Sequence, residues 1–206
     1  RPSLDALYQG FHKDCIQRKI SRAERESLTY EAGRSPSLLQ QLYELLQLTR
    51  SRHHLPPQPF EWFQNLVTLM GKDACIRIAS KAGQPVAGIL TISHGKKMVY
   101  KYGGSDAKFN NLGATSMLFW QAIKEAKEAG AEELDLGRSD IDNPGLIAFK
   151  GRWSAECSTL TTWRAPMVAS SPRLESLKVR CAKEVFAWLP DSVLTMAGRI
   201  LYRHIG

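Results

Sequence analysis

Apolar residues recur at three- and four-residue steps in some stretches of this chain and crowd into short alternating runs in others. The switch between the two periods divides it into elements. From Leu4 to Glu26 the spacing predicts a helix, with Leu7, Phe11, Cys15 and Ile16 on one face. "SLTYEAG" reads as a short strand. Ser35 before Pro36 is a helix start. Leu38, Leu42, Leu45 and Leu46 carry that helix to Arg50, Arg52, His53 and His54, where "LPPQPF" breaks it. Phe60 to Met70 makes a shorter, aromatic-rich helix.

The pattern then changes period. "ACIRIAS", "PVAGILTISH" and "KKMVYKYGG" read as strands joined by short turns, the first turn at Ala82 to Pro85, which predicts an antiparallel meander. Leu112 to Ala129 returns to helical spacing, with Thr115, Phe119, Ala122, Ile123 and Ala126 on one face and Gly130 closing it. "ELDLG" is a strand, "NPGLIAFKGRW" a short helix and "STLTTWRAP" a last strand. Beyond Pro166 two helices broken at Pro190 are expected. Their stripes run through Leu174, Leu177, Cys181, Val185 and Trp188, then through Val193, Met196, Ile200 and His204. The order predicts one mixed α/β domain over residues 1–166 and a C-terminal helical extension over 167–206.

The 206 residues include 28 Lys and Arg against 20 Asp and Glu, a net charge of +8. That sign favours anionic partners or serves solubility. The cysteines, Cys15, Cys75, Cys157 and Cys181, have neither metal-ligand nor redox spacing and read as free thiols of a reducing compartment. No stretch has the length and apolarity of a membrane span, and no signal peptide is visible. A cytoplasmic protein is expected. The phosphate loop Gly-x-x-x-x-Gly-Lys, the nucleophile elbow Gly-x-Ser-x-Gly and the zinc helix His-Glu-x-x-His are all absent, which points away from covalent and metal catalysis.

What remains is the joint from Tyr100 to Trp120. A strand expected to end near Tyr102 runs into Gly103, Gly104, Ser105 and Asp106. A helix then opens with Asn110, Asn111, Leu112, Gly113, Ala114 and Thr115. Free backbone N–H groups and the helix dipole favour a phosphate or carboxylate there. The order of elements resembles the GNAT acyltransferases, in which the donor's pyrophosphate sits on that helix start. Their usual signature is Gln or Arg, two residues, Gly, any residue, then Gly or Ala. Asn110 and Thr115 depart from it at the two ends, which counts against ordinary acyl-CoA binding.

A closer resemblance rests on an ordered set of segments. These are "SRAERESLTYEAG", "LYELLQLTRSRH", "PFEWFQNL", "AGILTI", "VYKYGGSDAKFNNLGATSMLFWQAIKEAKEAGAEELDLGRSD" and "GLIAFKGRW". Together they are similar to the Fem family of peptidoglycan-bridge aminoacyltransferases and FemAB-like relatives, over roughly residues 10 to 165. The resemblance implies a GNAT-like lobe with a mixed, largely antiparallel sheet. It also implies a preceding lobe, which suits a chain that begins at Arg1 rather than Met. The implied reaction is transfer of an activated acyl or aminoacyl group to an amine in cell-envelope metabolism. The donor would be aminoacyl-tRNA or acyl-CoA, with no tightly bound cofactor, and the acceptor a phosphorylated precursor.

By the same resemblance Lys150, after Phe149, lies near the donor's 3′ end, where a cation holds phosphate or the oxyanion; otherwise it is a surface lysine. Tyr102 either hydrogen-bonds the acceptor or is an ordinary strand tyrosine. Asp135 either lines the cleft or pairs with Arg138, and Asp106 either caps its loop or touches substrate. Trp120 and Trp153 read as core. The sets Arg18, Arg22, Arg25 and Arg50, Arg52, His53 either receive phosphorylated substrate or are solvated helix ends. The C-terminal stripes need a cover, which is the domain itself, a second copy, a preceding lobe or an anionic membrane surface at the cytoplasmic face. A binding module for RNA or membrane, without catalysis, is the reading from another class.

Overall fold

A computed structural model describes residues 2–161, 163, 186 and 191–202 of the chain. Two short helices open it, α1 (Leu4–Gly10) and α2 (Arg18–Arg25), with a single wide turn at Lys13–Gln17 between them. The predicted continuous N-terminal helix is broken because Phe11 leaves the helix in extended backbone and buries its ring. His12 then caps the next turn by accepting from the Cys15 N–H. There follow β1 (Thr29–Gly33), α3 (Pro36–Arg52), α4 (Phe60–Met70), β2 (Ala74–Lys81), β3 (Gln84–His94) and β4 (Lys97–Ser105). After these come α5 (Ala114–Glu128), β5 (Glu133–Asp135), α6 (Pro144–Gly151) and α7 (Asp191–Leu201).

The chain forms two compact units. The first holds Arg1–Thr49 and Phe60–Glu156, and the second holds Arg50–Pro59 and Cys157–Gly206.

In the first unit the strands form one sheet in the order β1-β2-β3-β4-β5. Strands β1 to β4 pair antiparallel, as the short turns predict, and β5 pairs parallel to β4. This is the mixed, largely antiparallel GNAT-like sheet. Alternation sends Ile76, Ile78 and Leu90 to one face, where they pack with Leu38, Leu42, Leu45 and Leu46 of α3 and Phe63 of α4. On the other face Ala79, Ala87, Ile89 and Met98 meet Ile20 of α2, Leu118 and Phe119 of α5, and Trp153. Each layer covers one side of the sheet, so the core is two sheets of contacts deep. Trp153 is core, as expected, edge-on to Phe11 with ring centroids 5.0 Å apart.

Among these apolar contacts lies one charged clamp. The buried Arg77 guanidinium donates from Nε and Nη2 to Glu125 Oε2 of α5, at 3.0 and 2.8 Å, and from Nη1 to Thr91 Oγ1 at 2.6 Å. The Tyr30 hydroxyl donates to the other oxygen of the same carboxylate. Burial, then the bond to Glu125, pushes the Tyr30 phenol well above its ordinary pKa.

The expected strand end at Tyr102 moves to Ser105. Gly103 and Gly104 stay in the ladder opposite Ile89 and Gly88. Packing against α3 requires glycine at position 104. A Cβ on Gly104 would stand 2.5 Å from the Leu45 carbonyl of α3, and one on Gly103 would collide with the Tyr100 hydroxyl. The helix likewise starts at Ala114 rather than Leu112, since Ala107–Leu112 makes a tighter 3₁₀ segment first. β5 is shorter than "ELDLG" suggests, pairing with β4 only from Lys97 to Val99. Among the described residues no strand pairs with β4 on that side beyond Val99. Ser158–Thr161, expected in a last strand, are irregular.

In the second unit α7 buries Leu194 and packs Gly198 on the Pro57 carbonyl. Met196 and Ile200, expected on the buried stripe, are exposed instead, because a glycine that admits a neighbouring backbone turns the 194/198 face inward. The helix expected before Pro190 lies outside the described residues. Among the described residues no helix is long and apolar enough to cross a membrane.

Candidate functional site

The joint between β4 and α5 is built by hydrogen bonds that local sequence explains. Asp106 accepts from the Lys108 N–H at 3.0 Å and starts the 3₁₀ segment. Its own N–H donates to the Val86 carbonyl. The Ser105 hydroxyl donates to Asn110 Oδ1 at 3.3 Å. From α3, Thr49 Oγ1 accepts from the Ser105 N–H at 2.9 Å and donates to its carbonyl, so the end of β4 is tied down on both sides. Gly113 then takes a left-handed conformation, φ +78°, with the Lys19 carbonyl of α2 lying where a side chain would project. Only glycine tolerates both demands.

α5 begins without help. Gly113 has no side chain to cap it, and no acidic residue lies in its first turn. The amides of Ala114, Thr115 and Ser116 therefore present donors without a capping side chain among the described residues, and the positive end of the dipole. They open onto a cavity of about 240 Å³. Its other walls come from Cys15 and Lys19 of the N-terminal helices, Val86 and Ala87 of β3, Ser105, Asn110, and Phe149 and Arg152 at the end of α6. Among the described residues the walls include two cations and no acid.

The structure divides the remaining predicted site residues. Tyr102 lies on the opposite face of β4, its ring 4.9 Å from Phe63 and its hydroxyl accepting from Trp62 Nε1 at 3.0 Å. Gly103 and Gly104, at the end of β4 where no described strand pairs on the β5 side, lie between these two faces. Phe149 lines the cavity and Lys150 does not: its ammonium donates to the backbone carbonyls of Gly137 and Arg138, pinning the loop after β5. In that loop the Ser139 hydroxyl is buried with no partner among the described residues. Asp135 accepts from the Gly137 N–H at 2.6 Å, a turn within its own strand end. The expected Asp135–Arg138 pair does not form. Arg138 sits 3.6 Å from Asp140 instead, because Asp135 is already turned onto the backbone. Asn111 is exposed beside the cavity.

Of the basic sets, Arg18 makes an exposed pair with Asp14, and Arg22 pairs with the half-buried Glu26, which also holds Lys81. Arg50 and Arg52 fall in the second unit, where Arg50 donates to Gln58. Sequence reading missed Cys15, Lys19, Ser116, Arg152 and Trp62. The cavity residues among them share no local pattern, and only the fold brings positions 15, 19, 116 and 152 together.

Residues 12–150 match the family model described as an acetyltransferase (GNAT) domain. The chain belongs to this family. The family is one of acyltransferases. The solved structure of FemX matches with a TM-score of 0.66 and 18% identity, covering 74% of this chain and 56% of that one. An aminoglycoside acetyltransferase from an uncultured soil metagenomic sample matches at 0.53 and 16%, covering 67% and 95%. The C-terminal domain of a putative lysylphosphatidylglycerol synthetase from Agrobacterium fabrum matches at 0.50 and 18%, covering 68% and 50%. At these identities the likeness is one of fold, and the chain spans little more than half the length of FemX. A search of curated proteins finds no match.

Proposed function

We propose that this domain transfers an activated acyl or aminoacyl group from a phosphate-bearing donor to an amine, in the manner of FemAB-like enzymes of cell-envelope metabolism. The observation that carries the reading is the uncapped start of α5, which follows the glycine-bearing end of β4 and opens onto a cavity with two cations and, among the described residues, no acid. Such an end holds the donor's phosphates and leaves its acyl arm to run along the end of β4 where no described strand pairs on the β5 side. The amine attacks the donor carbonyl, the new C–N bond forms, and the ester or thioester bond breaks as the proton leaves the nitrogen. Positioning and stabilisation of the oxyanion supply most of the acceleration in such a scheme. The ordered Fem-like motifs and the FemX-like fold support the aminoacyl form.

In this reading Tyr102, beside Trp62, faces the acceptor. Lys150 holds the loop that closes over the donor and supplies charge near the reacting carbonyl. Arg22, Arg50, Arg52 and Arg138 are the candidate cations for a phosphorylated acceptor or a tRNA. A preceding lobe, a second copy and an anionic membrane surface are the proposed neighbours, and the cytoplasm the proposed site of action. The rival form is an N-acyltransferase that uses acyl-CoA, favoured by the match to nearly the whole of an aminoglycoside acetyltransferase. The test is to supply the full-length protein with aminoacyl-tRNA and acyl-CoA in separate reactions with a lysine-bearing muropeptide precursor, and to weigh the products. A product with an added aminoacyl group supports the Fem form, acylation from acyl-CoA alone supports the rival, and no amide from either donor ends the proposal.

A further inference from the structure

We propose that the opposite end of α5 carries a second binding site, for an uncharged molecule that is apolar except for one hydrogen-bond acceptor, and that Trp153 reads that acceptor. The site lies between the C-terminal half of α5, β5 and α1, and it shares no lining residue with the cavity at the start of α5. It stands or falls independently of the acyl-transfer reading.

The space is a cavity of about 240 Å³. Leu7 of α1 and Phe11 beyond it, Ile123 and Ala126 of α5, and Leu134 and Leu136 around β5 give it apolar walls. Trp153 is a buried part of the same wall, its ring packed on Phe11 and Phe119. The other polar side chains of the wall already have partners. Lys127 donates to the Pro2 carbonyl at 2.6 Å, and the Ser154 hydroxyl donates to the Gly10 carbonyl. Glu132 pairs with Lys96 and Glu133 with Lys97, each at 2.7 Å. The Trp153 indole is the exception: its Nε1 is buried and has no hydrogen-bond partner among the described residues. Buried tryptophan N–H groups usually find an acceptor, because one that leaves water without a partner loses its hydration outright. A phenylalanine would fill most of the same space without that loss. The wall thus offers apolar surface and one unanswered side-chain donor.

Those two properties select the occupant. An ordered buried water needs roughly two to four polar partners, so water suits the site poorly. A charged ligand is disfavoured as well, since the carboxylates of the wall are paired and its one ammonium is held on a carbonyl. A cavity of about 150 Å³ lined by Leu, Ile and Phe holds benzene, and in proportion this one takes roughly nine or ten heavy atoms. The class that fits is a short-chain or monocyclic ketone or ester, its carbonyl oxygen accepting from Trp153 Nε1. Such a molecule would tie α1 to the end of α5, so its binding is read as stability.

The test uses acetophenone, which accepts but does not donate, and ethylbenzene, which has nearly the same shape without the acceptor. Each would be titrated into the whole chain, isotope-labelled at its tryptophan nitrogens, and the melting temperature and indole N–H signals recorded. Both compounds should raise the melting temperature, as any ligand selective for the folded state does. Acetophenone alone should move the Trp153 indole proton downfield. Trp153→Phe keeps a ring in the wall and removes the donor. It should weaken acetophenone about fivefold, the worth of one neutral hydrogen bond, and leave ethylbenzene within about twofold. Should that variant fail to fold, the indole shift in the parent decides the question alone. No stabilisation by either compound, equal indole shifts from both, or a Trp153→Phe variant that weakens the two equally or neither would overturn the proposal.

Discussion

The two ends of α5 are built on opposite principles. At the C-terminal end Glu125 places a carboxylate where the helix dipole is already negative, an unfavourable location on its own. The fold answers it with Arg77, Thr91 and Tyr30, and Lys127, two residues on, donates to the Pro2 carbonyl. At the N-terminal end the dipole is positive, and the described residues supply no cap and no acid. It adds Lys19 and Arg152. Charge at one end is cancelled within the protein, while charge at the other accumulates unmatched. A protein that closes a polar network so completely in one place and leaves it open fifteen Å away by helix rise, about ten residues at 1.5 Å each, is reserving the open end for something it binds.

The comparison breaks first at the closed end. Arg77→Met should destabilise the chain by about 2–3 kcal/mol, below the 3–5 kcal/mol of a fully buried pair because Glu125 is partly solvated. Urea denaturation measures it. Arg77→Met together with Glu125→Gln should recover part of the loss. A single variant as stable as the parent would mean that the clamp is ornamental and that the contrast between the ends is not energetic.

The next effect tests the open end. Gly113→Ala puts a methyl group against the Lys19 backbone in a left-handed conformation, and overpacking of this kind costs about 1–3 kcal/mol. Pulling α2 away from α5 should also expose Cys15 to thiol reagents. Unchanged stability with unchanged labelling would show that the two elements are not held in register there.

Lys150 lies between structure and chemistry. Lys150→Ala in the full-length enzyme should slow transfer at least about tenfold, or 1.4 kcal/mol of transition-state free energy. Its melting temperature should shift little, since the carbonyls of Gly137 and Arg138 that the ammonium holds lie in an exposed loop. A variant of unchanged rate removes Lys150 from the reaction.

How much of this was legible beforehand follows from the range of the forces involved. The meander from β2 to β4 and the face of α5 are written in local periodicity and turn residues, and they appear where the pattern puts them. Gly103 and Gly104 are equally visible in the sequence, but their reason is a helix backbone nearly sixty residues earlier and a tyrosine hydroxyl beneath the strand, and no local signal distinguishes that from a loop that bares its amides. The break at Phe11, the brevity of β5 and the inward face of α7 are likewise settled by partners distant in sequence. Arg138 illustrates the same limit at the site. Two acids lie within reach along the chain, and only the turn at Asp135 decides that Asp140 takes it. The cavity cations escaped notice because lysine and arginine at helix ends are ordinary, and what marks Lys19 and Arg152 is the absence of acids around a space the sequence does not show.

Alkaline pH separates the ends more gently. Tyr100 packs on Phe119 under α5, and burial pushes its phenol up to about 12 from an ordinary 10. A raised folded-state pKa leaves its contribution intact below pH 10 and removes it as pH rises toward 12, since the unfolded chain ionises first. Tyr30 shifts in the same direction. Stability followed by denaturant titration should thus be flat up to about pH 10 and fall beyond it, and Tyr100→Phe should remove part of that fall. A Tyr100→Phe variant with the parent's alkaline slope would place the ionisation elsewhere.

The smallest effect is expected at Asp106. Its carboxylate accepts a single exposed N–H, that of Lys108, and starts the 3₁₀ segment that delivers Asn110 and Gly113 to the open end. Loss of a comparable helix cap costs about 0.5–2 kcal/mol. The low end applies here, because the segment is short and Thr49 and the Val86 carbonyl hold the backbone on either side of Ser105 and Asp106. Asp106→Asn, which keeps the accepting oxygen and removes the charge, should be neutral in stability, and Asp106→Ala should lose about 0.5 kcal/mol. The informative quantity is the degree to which pyrophosphate protects Cys15, in the wall of the cavity at the start of α5, from a thiol reagent. A carboxylate that only caps the turn leaves protection by pyrophosphate unchanged in Asp106→Asn. A carboxylate that faces the ligand repels its phosphates, so its removal tightens protection severalfold, and that result would move Asp106 from the scaffold of the joint into the binding site.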